Sequence, residues 1–115
     1  MNLFWTAVCL AAAVFTSDAA SACGWSTKTY DKTLTGIAVE AEIQMTAAEK
    51  ICGVVVQLSS GAKIDAQPTH GTVRYRGPDF IYTPTPGYVG EDTFYASGLR
   101  GPDRVHITVY VTIKR

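Results

Sequence analysis

An all-β sandwich is the fold class that this 115-residue sequence predicts. Three observations predict it. Short runs with strand period recur at close spacing, and turns rich in Gly and Pro separate them. The last run alternates without a break: Val105, Ile107, Val109, Val111 and Ile113 on one side, His106, Thr108, Tyr110, Thr112 and Lys114 on the other. About seven short strands are expected, each with one inward and one solvent-facing side.

The chain opens on an apolar run, Leu3 to Val14, too short to cross a bilayer as a helix. Ala20-Ser21-Ala22 follows as a small-x-small cleavage signal. Together they predict a secretory signal peptide over residues 1–22, cut after Ala22, and one mature domain over residues 23–115. That implies a secreted or periplasmic protein. The plainer account of the run is a buried helix, although it would lead into Ala/Ser-rich sequence.

Ten Lys and Arg balance ten Asp and Glu, and only Asp18 falls in the leader, so the mature charge is about +1. Such a balance argues against nucleic acid or an anionic membrane as a bulk electrostatic partner. No later segment is apolar enough, for long enough, to span a bilayer. Of three cysteines, Cys9 lies in the leader and Cys23 and Cys52 remain. A pair in an exported small domain predicts a disulfide, closing a loop of about 30 residues worth roughly 3.5 kcal/mol. A rival reading makes Cys23 the lipid-bearing cysteine of an envelope lipoprotein, since small residues precede it. Ala20 stands where Leu would be expected in such a box.

Gly24 to Lys32 is polar and Thr-rich, with Trp25 and Tyr30 as its large side chains. From Ile37 two patterns compete. Ile37, Val39, Ala41, Ile43 and Met45 alternate with polar or small residues, which predicts a strand. The stretch through Lys50 is also rich in helix formers. The alternation favours strand through Met45, then a turn or one short helical turn over Thr46 to Lys50. Ile51 to Leu58 reads as a strand covered on both faces, because Val54-Val55-Val56 is a continuous apolar run. Ser59-Ser60-Gly61 is a turn, and Lys63 to Ala66 a short extended piece. Thr72 to Arg76 sets Val73 and Tyr75 against Arg74 and Arg76; Phe80 to Thr83 pairs Phe80 with Tyr82 on one face; Thr93 to Ser97 opposes Phe94 to Tyr95.

One four-residue word occurs twice, as Arg76-Gly77-Pro78-Asp79 and Arg100-Gly101-Pro102-Asp103. Pro suits the second position of a type I turn and Asp the third, so both copies are expected to be hairpin connections with that placement.

The most specific signal runs from Gln67 to Tyr95. Pro68, His70, Gly71, Thr72 and Val73 are followed by Tyr82, Pro84, Pro86, Gly87, Tyr88, Gly90, Asp92 and Phe94, and then by the alternating strand Val105 to Ile113. This spacing resembles the bacterial Ig-like, or cadherin-like, tandem-repeat domain family over about the last 50 residues. The resemblance implies an Ig-like Greek-key β-sandwich and, by analogy, a binding, adhesion or structural role. Those relatives usually occur as repeats in large surface proteins, whereas one copy stands here, and the half carrying Cys23 and Cys52 is not typical of them. Physical reasons for the motif are structural. Gly71, Gly87 and Gly90 permit backbone angles that other residues resist. Pro84 and Pro86 belong at or beyond a strand edge. Asp92 is expected to cap backbone N–H groups in the turn that launches the next strand. Tyr82, Tyr88 and Phe94 supply apolar area.

Catalytic patterns are sparse. His70 and His106 are the only histidines and have no ligand-spaced Cys or acidic neighbours for zinc. No G-x-S-x-G elbow occurs, Ser60-Gly61-Ala62-Lys63 lacks the spacing of a phosphate loop, and Glu91-Asp92 is a poor calcium string. The expectation is a non-enzymatic protein without a cofactor, binding a protein or glycan partner. A small exported enzyme or metal-binding protein on the same scaffold is the alternative. Two exposed groupings are candidates for a ligand surface: Arg74 with Arg76 for an acidic glycan or phosphate, and Trp25, Tyr95 and Tyr110 for stacking on a sugar ring or a partner. The plainer accounts are a solvated strand face for the first and core packing for the second.

Overall fold

A computed structural model describes residues 23–115; the predicted leader lies outside the described residues. The described chain is all-β, with eight strands: β1 (Gly24–Thr33), β2 (Gly36–Thr46), β3 (Cys52–Val55), β4 (Ser60–Ala66), β5 (Gly71–Arg76), β6 (Asp79–Pro84), β7 (Gly90–Arg100) and β8 (Asp103–Lys114). They form a five-stranded sheet in the order β1-β2-β8-β7-β4 and a three-stranded sheet in the order β3-β6-β5.

The alternating stretches behave as strands because one face of each can be buried. Ile37, Val39, Ala41, Ile43 and Met45 of β2 are all buried, as are Val105, Ile107, Val109, Val111 and Ile113 of β8. β2 and β8 run parallel with Ile37 opposite Val105 and Met45 opposite Ile113, so the two apolar rows lie side by side. Helix propensity in β2 loses to this register, which buries five apolar side chains together. β7 pairs antiparallel with β8 and adds Phe94 and Ala96. The small sheet contributes Cys52, Val54, Val73, Phe80 and Tyr82 to the same cluster, so one core lies between the sheets. Each fully buried large apolar side chain contributes about 1.5–3 kcal/mol.

Three strands differ from their sequence expectation. Gly24 to Thr33 forms a ten-residue strand, β1, although every residue in it is exposed. It is held from one side by β2, with an irregularity between Thr27 and Thr29. Its pattern was silent because neither face is buried. β3 is only four residues long; Cys52 and Val54 face the core, while Gly53 and Val55 are partly exposed on the opposite face. The apolar run there is thus covered on one face rather than both. β4 is longer than predicted and joins β7 with two irregularities.

Both copies of the Arg-Gly-Pro-Asp word make tight hairpins, with the turn placed one residue earlier than expected. Arg76 pairs with Asp79 and Arg100 with Asp103, so Gly and Pro fill the two central positions and Asp opens the next strand. Pro102 follows Gly101 at φ 60°, whereas Gly77–Pro78 is a cis peptide.

Cys23 and Cys52 form a disulfide, with Cα atoms 5.9 Å apart. It joins the residue before β1, in the large sheet, to β3 in the small one. With its sulfur in this bond, Cys23 has no thiol to carry lipid.

Candidate ligand-binding face

The motif residues converge on the loops at one end of the sandwich, and Asp92 is their centre. Its side chain is buried, and its carboxylate accepts from the Thr69 and His70 amides, each at 3.0 Å, from the Tyr82 hydroxyl at 2.7 Å and from the Thr93 amide at 3.1 Å. Thr69 and His70 precede β5, so Asp92 caps mainly a distant turn and only secondarily its own strand. Burial, and then the hydrogen bond to Asp92, push the Tyr82 phenol well above its ordinary pKa. The His70 ring stacks on Tyr88 at 4.0 Å with an interplanar angle of 6°. Tyr88 donates its hydroxyl to the Glu91 carbonyl at 2.7 Å. Phe94 lies parallel to Tyr82 in the core.

Close approach explains Gly71. A Cβ there would lie 2.6 Å from the Thr83 carbonyl oxygen and 2.9 Å from the Tyr82 ring. Pro84 ends β6 opposite Gly71, and Pro86 with Gly87, at φ 86°, makes the turn toward Tyr88. Gln67 is a clamp that sequence reasoning missed: its amide oxygen accepts from the Val73 N–H at 2.8 Å and its amide nitrogen donates to the Val73 carbonyl at 3.0 Å.

Side chains free to meet a ligand lie elsewhere, on the outer face of the five-stranded sheet. Tyr110 of β8 sits opposite Thr93, and Tyr95 of β7 opposite Thr108, which makes the two tyrosines diagonal neighbours. Both are exposed to solvent. Tyr110 donates its hydroxyl to Glu40 at 3.3 Å, and Thr29 donates to the other oxygen of Glu40 at 3.2 Å. Lys28 lies 5.0 Å from the centre of the Tyr110 ring and 3.7 Å from Glu42. The negative charge of Glu40 raises the Tyr110 pKa, so the phenol stays a donor. Between Lys28, Glu42, Glu91, Thr93 and Tyr110 lies a shallow polar depression of about 350 Å³. Planar rings beside carboxylates and hydroxyls can stack on a ligand ring and hydrogen-bond its hydroxyl groups.

Of the other predicted surface residues, Trp25, Arg74 and Arg76 do not join this face. Trp25 pairs with Ile43, so it points to the inner side of the large sheet. Arg74 and Arg76 lie on the outer face of the small sheet, in register with Ile81 and Asp79. His106 is on the outer face of the large sheet, near the β1–β2 turn. Lys28, Glu40 and Glu42 are additions the sequence did not single out. Alternation in β2 places both glutamates outward, but the irregularity in β1 that delivers Lys28 left no readable pattern.

A more apolar groove of about 430 Å³ separates the Ala47–Lys50 connection from the Thr83–Tyr88 loop. Among the described residues no three His, Cys, Asp or Glu side chains converge to hold a metal ion. No helix among them is long and apolar enough to cross a membrane. No protein-family model matches the chain, and no curated protein matches it.

Proposed function

We propose that this chain is an exported, non-enzymatic Ig-like domain of the bacterial envelope or extracellular space, and that it binds a glycan on the outer face of its five-stranded sheet. The observation that carries the ligand is the exposed pair Tyr95 and Tyr110, with Glu40, Glu42, Thr93 and Thr108 beside them. Stacking on sugar CH faces and hydrogen bonds to hydroxyls are the two interactions such a surface offers.

Several features support the Ig-like reading. The orders β3-β6-β5 and β8-β7-β4 are those of strands B-E-D and G-F-C in an immunoglobulin sandwich, with β2 running parallel beside the last strand. His70, Tyr82 and Asp92, the motif residues with most chemical potential, are each engaged in holding turns or the core. That favours binding over catalysis. A disulfide and an apolar leader fit an oxidising compartment outside the cytoplasm.

The test is retention of the purified protein on immobilised envelope and extracellular polysaccharides, compared with a Tyr95→Ala/Tyr110→Ala variant. Retention that the double variant loses while keeping its melting temperature supports the proposal. Retention unchanged by the variant, or none on any glycan, overturns it.

A further inference from the structure

β1 is held unevenly along its length. It is an edge of the large sheet, hydrogen-bonded to β2 on one side, and it also touches β3. None of its side chains enters the core, since every residue in it is exposed. An irregularity between Thr27 and Thr29 divides its ladder with β2 into two short pieces, Gly24–Thr27 against Ala41–Gln44 and Thr29–Thr33 against Gly36–Glu40.

The second piece has its own fastenings. The Thr33 hydroxyl donates to the Gly36 carbonyl at 3.2 Å across the hairpin, and Thr29 donates to Glu40 at 3.2 Å. Lys32 lies 3.3 Å from Asp103, and Arg100 donates to the Tyr30 hydroxyl at 3.4 Å. The first piece has Lys28, 3.7 Å from Glu42, and the disulfide from Cys23 to Cys52. Trp25, on the inner side opposite Ile43, is still 41% exposed. The hydrogen bonds of a solvated edge ladder are largely offset by the cost of ordering its residues, so such a piece opens readily unless its end is fixed. Cys52 fixes it, being 2% exposed and part of the core cluster.

We propose that Cys23–Cys52 is a redox latch on β1: reduction by a dithiol releases residues 23–28 from the sheet while the rest of the sandwich stays folded. The two cysteines differ in access, since Cys23 is half-buried and Cys52 is buried. A dithiol therefore attacks at Cys23. One of its thiolates bonds to the Cys23 sulfur and expels the Cys52 thiolate, which takes up a proton. Its second thiolate then displaces the Cys23 thiolate, which is protonated in turn, and closes the reagent's own disulfide. Two electrons and two protons pass from the dithiol to the cysteine pair.

Release changes the proposed glycan face. Lys28 stands at the break in the ladder, and its ammonium lies 5.0 Å from the centre of the Tyr110 ring. With Glu42, Glu91 and Thr93 it lines the polar depression beside that ring. Opening the latch withdraws Lys28 and removes the part of the wall that β1 supplies, so the disulfide regulates ligand binding there. This consequence rests on the glycan reading; the release of residues 23–28 does not.

The experiment follows amide hydrogen exchange by mass spectrometry in the purified oxidised protein, in the same protein treated with dithiothreitol, and in the Cys23→Ala/Cys52→Ala variant. Exchange over residues 24–28 is expected to quicken about tenfold or more in the reduced protein and in the variant, while residues 105–113 of β8 keep their protection. Trypsin should cut after Lys28 in the reduced protein and leave the remainder folded; the oxidised protein should resist. Unchanged exchange over residues 24–28, or an equal loss of protection over β8, overturns the latch. Retention on polysaccharides tests the regulation. Where a polysaccharide retains the oxidised protein, reduction and Lys28→Ala should each weaken retention about tenfold. Retention unaffected by reduction overturns the regulation and leaves the glycan reading standing. No retention of the oxidised protein on any glycan overturns the glycan reading and the regulation together, and the exchange data still decide the latch.

Discussion

The Tyr82 hydroxyl donates to Asp92 at 2.7 Å, and this bond joins the two sheets through their interior. Tyr82 belongs to β6 of the small sheet and Asp92 to β7 of the large one. The same carboxylate holds Thr69 and His70 on the crossing between β4 and β5. One side chain thus fixes the spacing of the layers and the path between them.

Asp92→Ala is expected to destabilise the domain by about 3–5 kcal/mol, because it leaves three amides and a buried phenol without their acceptor. Asp92→Asn keeps one side-chain oxygen and should cost about half as much. Denaturant unfolding of the three proteins checks the order.

Tyr82 should be the last tyrosine to ionise. Its folded pKa is raised, so its contribution to stability is complete below the unfolded value near 10 and is lost as pH rises toward the folded value. Stability of the native protein should therefore fall above about pH 10. Tyr82→Phe should make that fall shallower by one proton, about 1.4 kcal/mol per pH unit. Unfolding measured between pH 9 and 11.5, with ultraviolet absorbance of the phenolates, gives both numbers.

Two glycines make a matched pair. Gly71→Ala places a methyl 2.6 Å from the backbone oxygen of Thr83 and should cost about 2 kcal/mol or more. Gly24→Ala meets nothing within 4 Å and should stay within about 0.5 kcal/mol of the parent. Thermal melts of the two variants separate close approach from a general effect of removing glycine.

Reduction of Cys23–Cys52 is expected to lower stability by about 3.5 kcal/mol, from the loop of 29 residues in sequence that the bond closes. The double variant Cys23→Ala/Cys52→Ala should melt at the temperature of the reduced protein. Denaturation with and without reductant makes the comparison.

Legibility in the sequence followed burial. β8 and β2 announced themselves because alternate residues face a core, and the register that brings Ile37 beside Val105 keeps both rows inward. β1 was silent because both its faces meet solvent, so nothing selects an alternating pattern. Asp92 was readable as a cap, but its partners lie 22 and 23 residues away, a distance that only tertiary structure brings together. The candidate aromatics divided for a similar reason. The strand positions of Tyr95 and Tyr110 put them on one face, while the face of Trp25 depended on a pairing that no local signal encodes.

The parallel pairing of β2 with β8 sets a condition on synthesis. The second strand of the sandwich has its central neighbour in β8, the eighth strand in order, and β7 shares that neighbour. Until residues 103–114 have left the ribosome, the apolar row of β2 lacks its neighbour and the large sheet cannot close. The order of translation therefore keeps the large sheet open until β8 has been made, which suits a protein proposed to pass through a membrane pore before it folds.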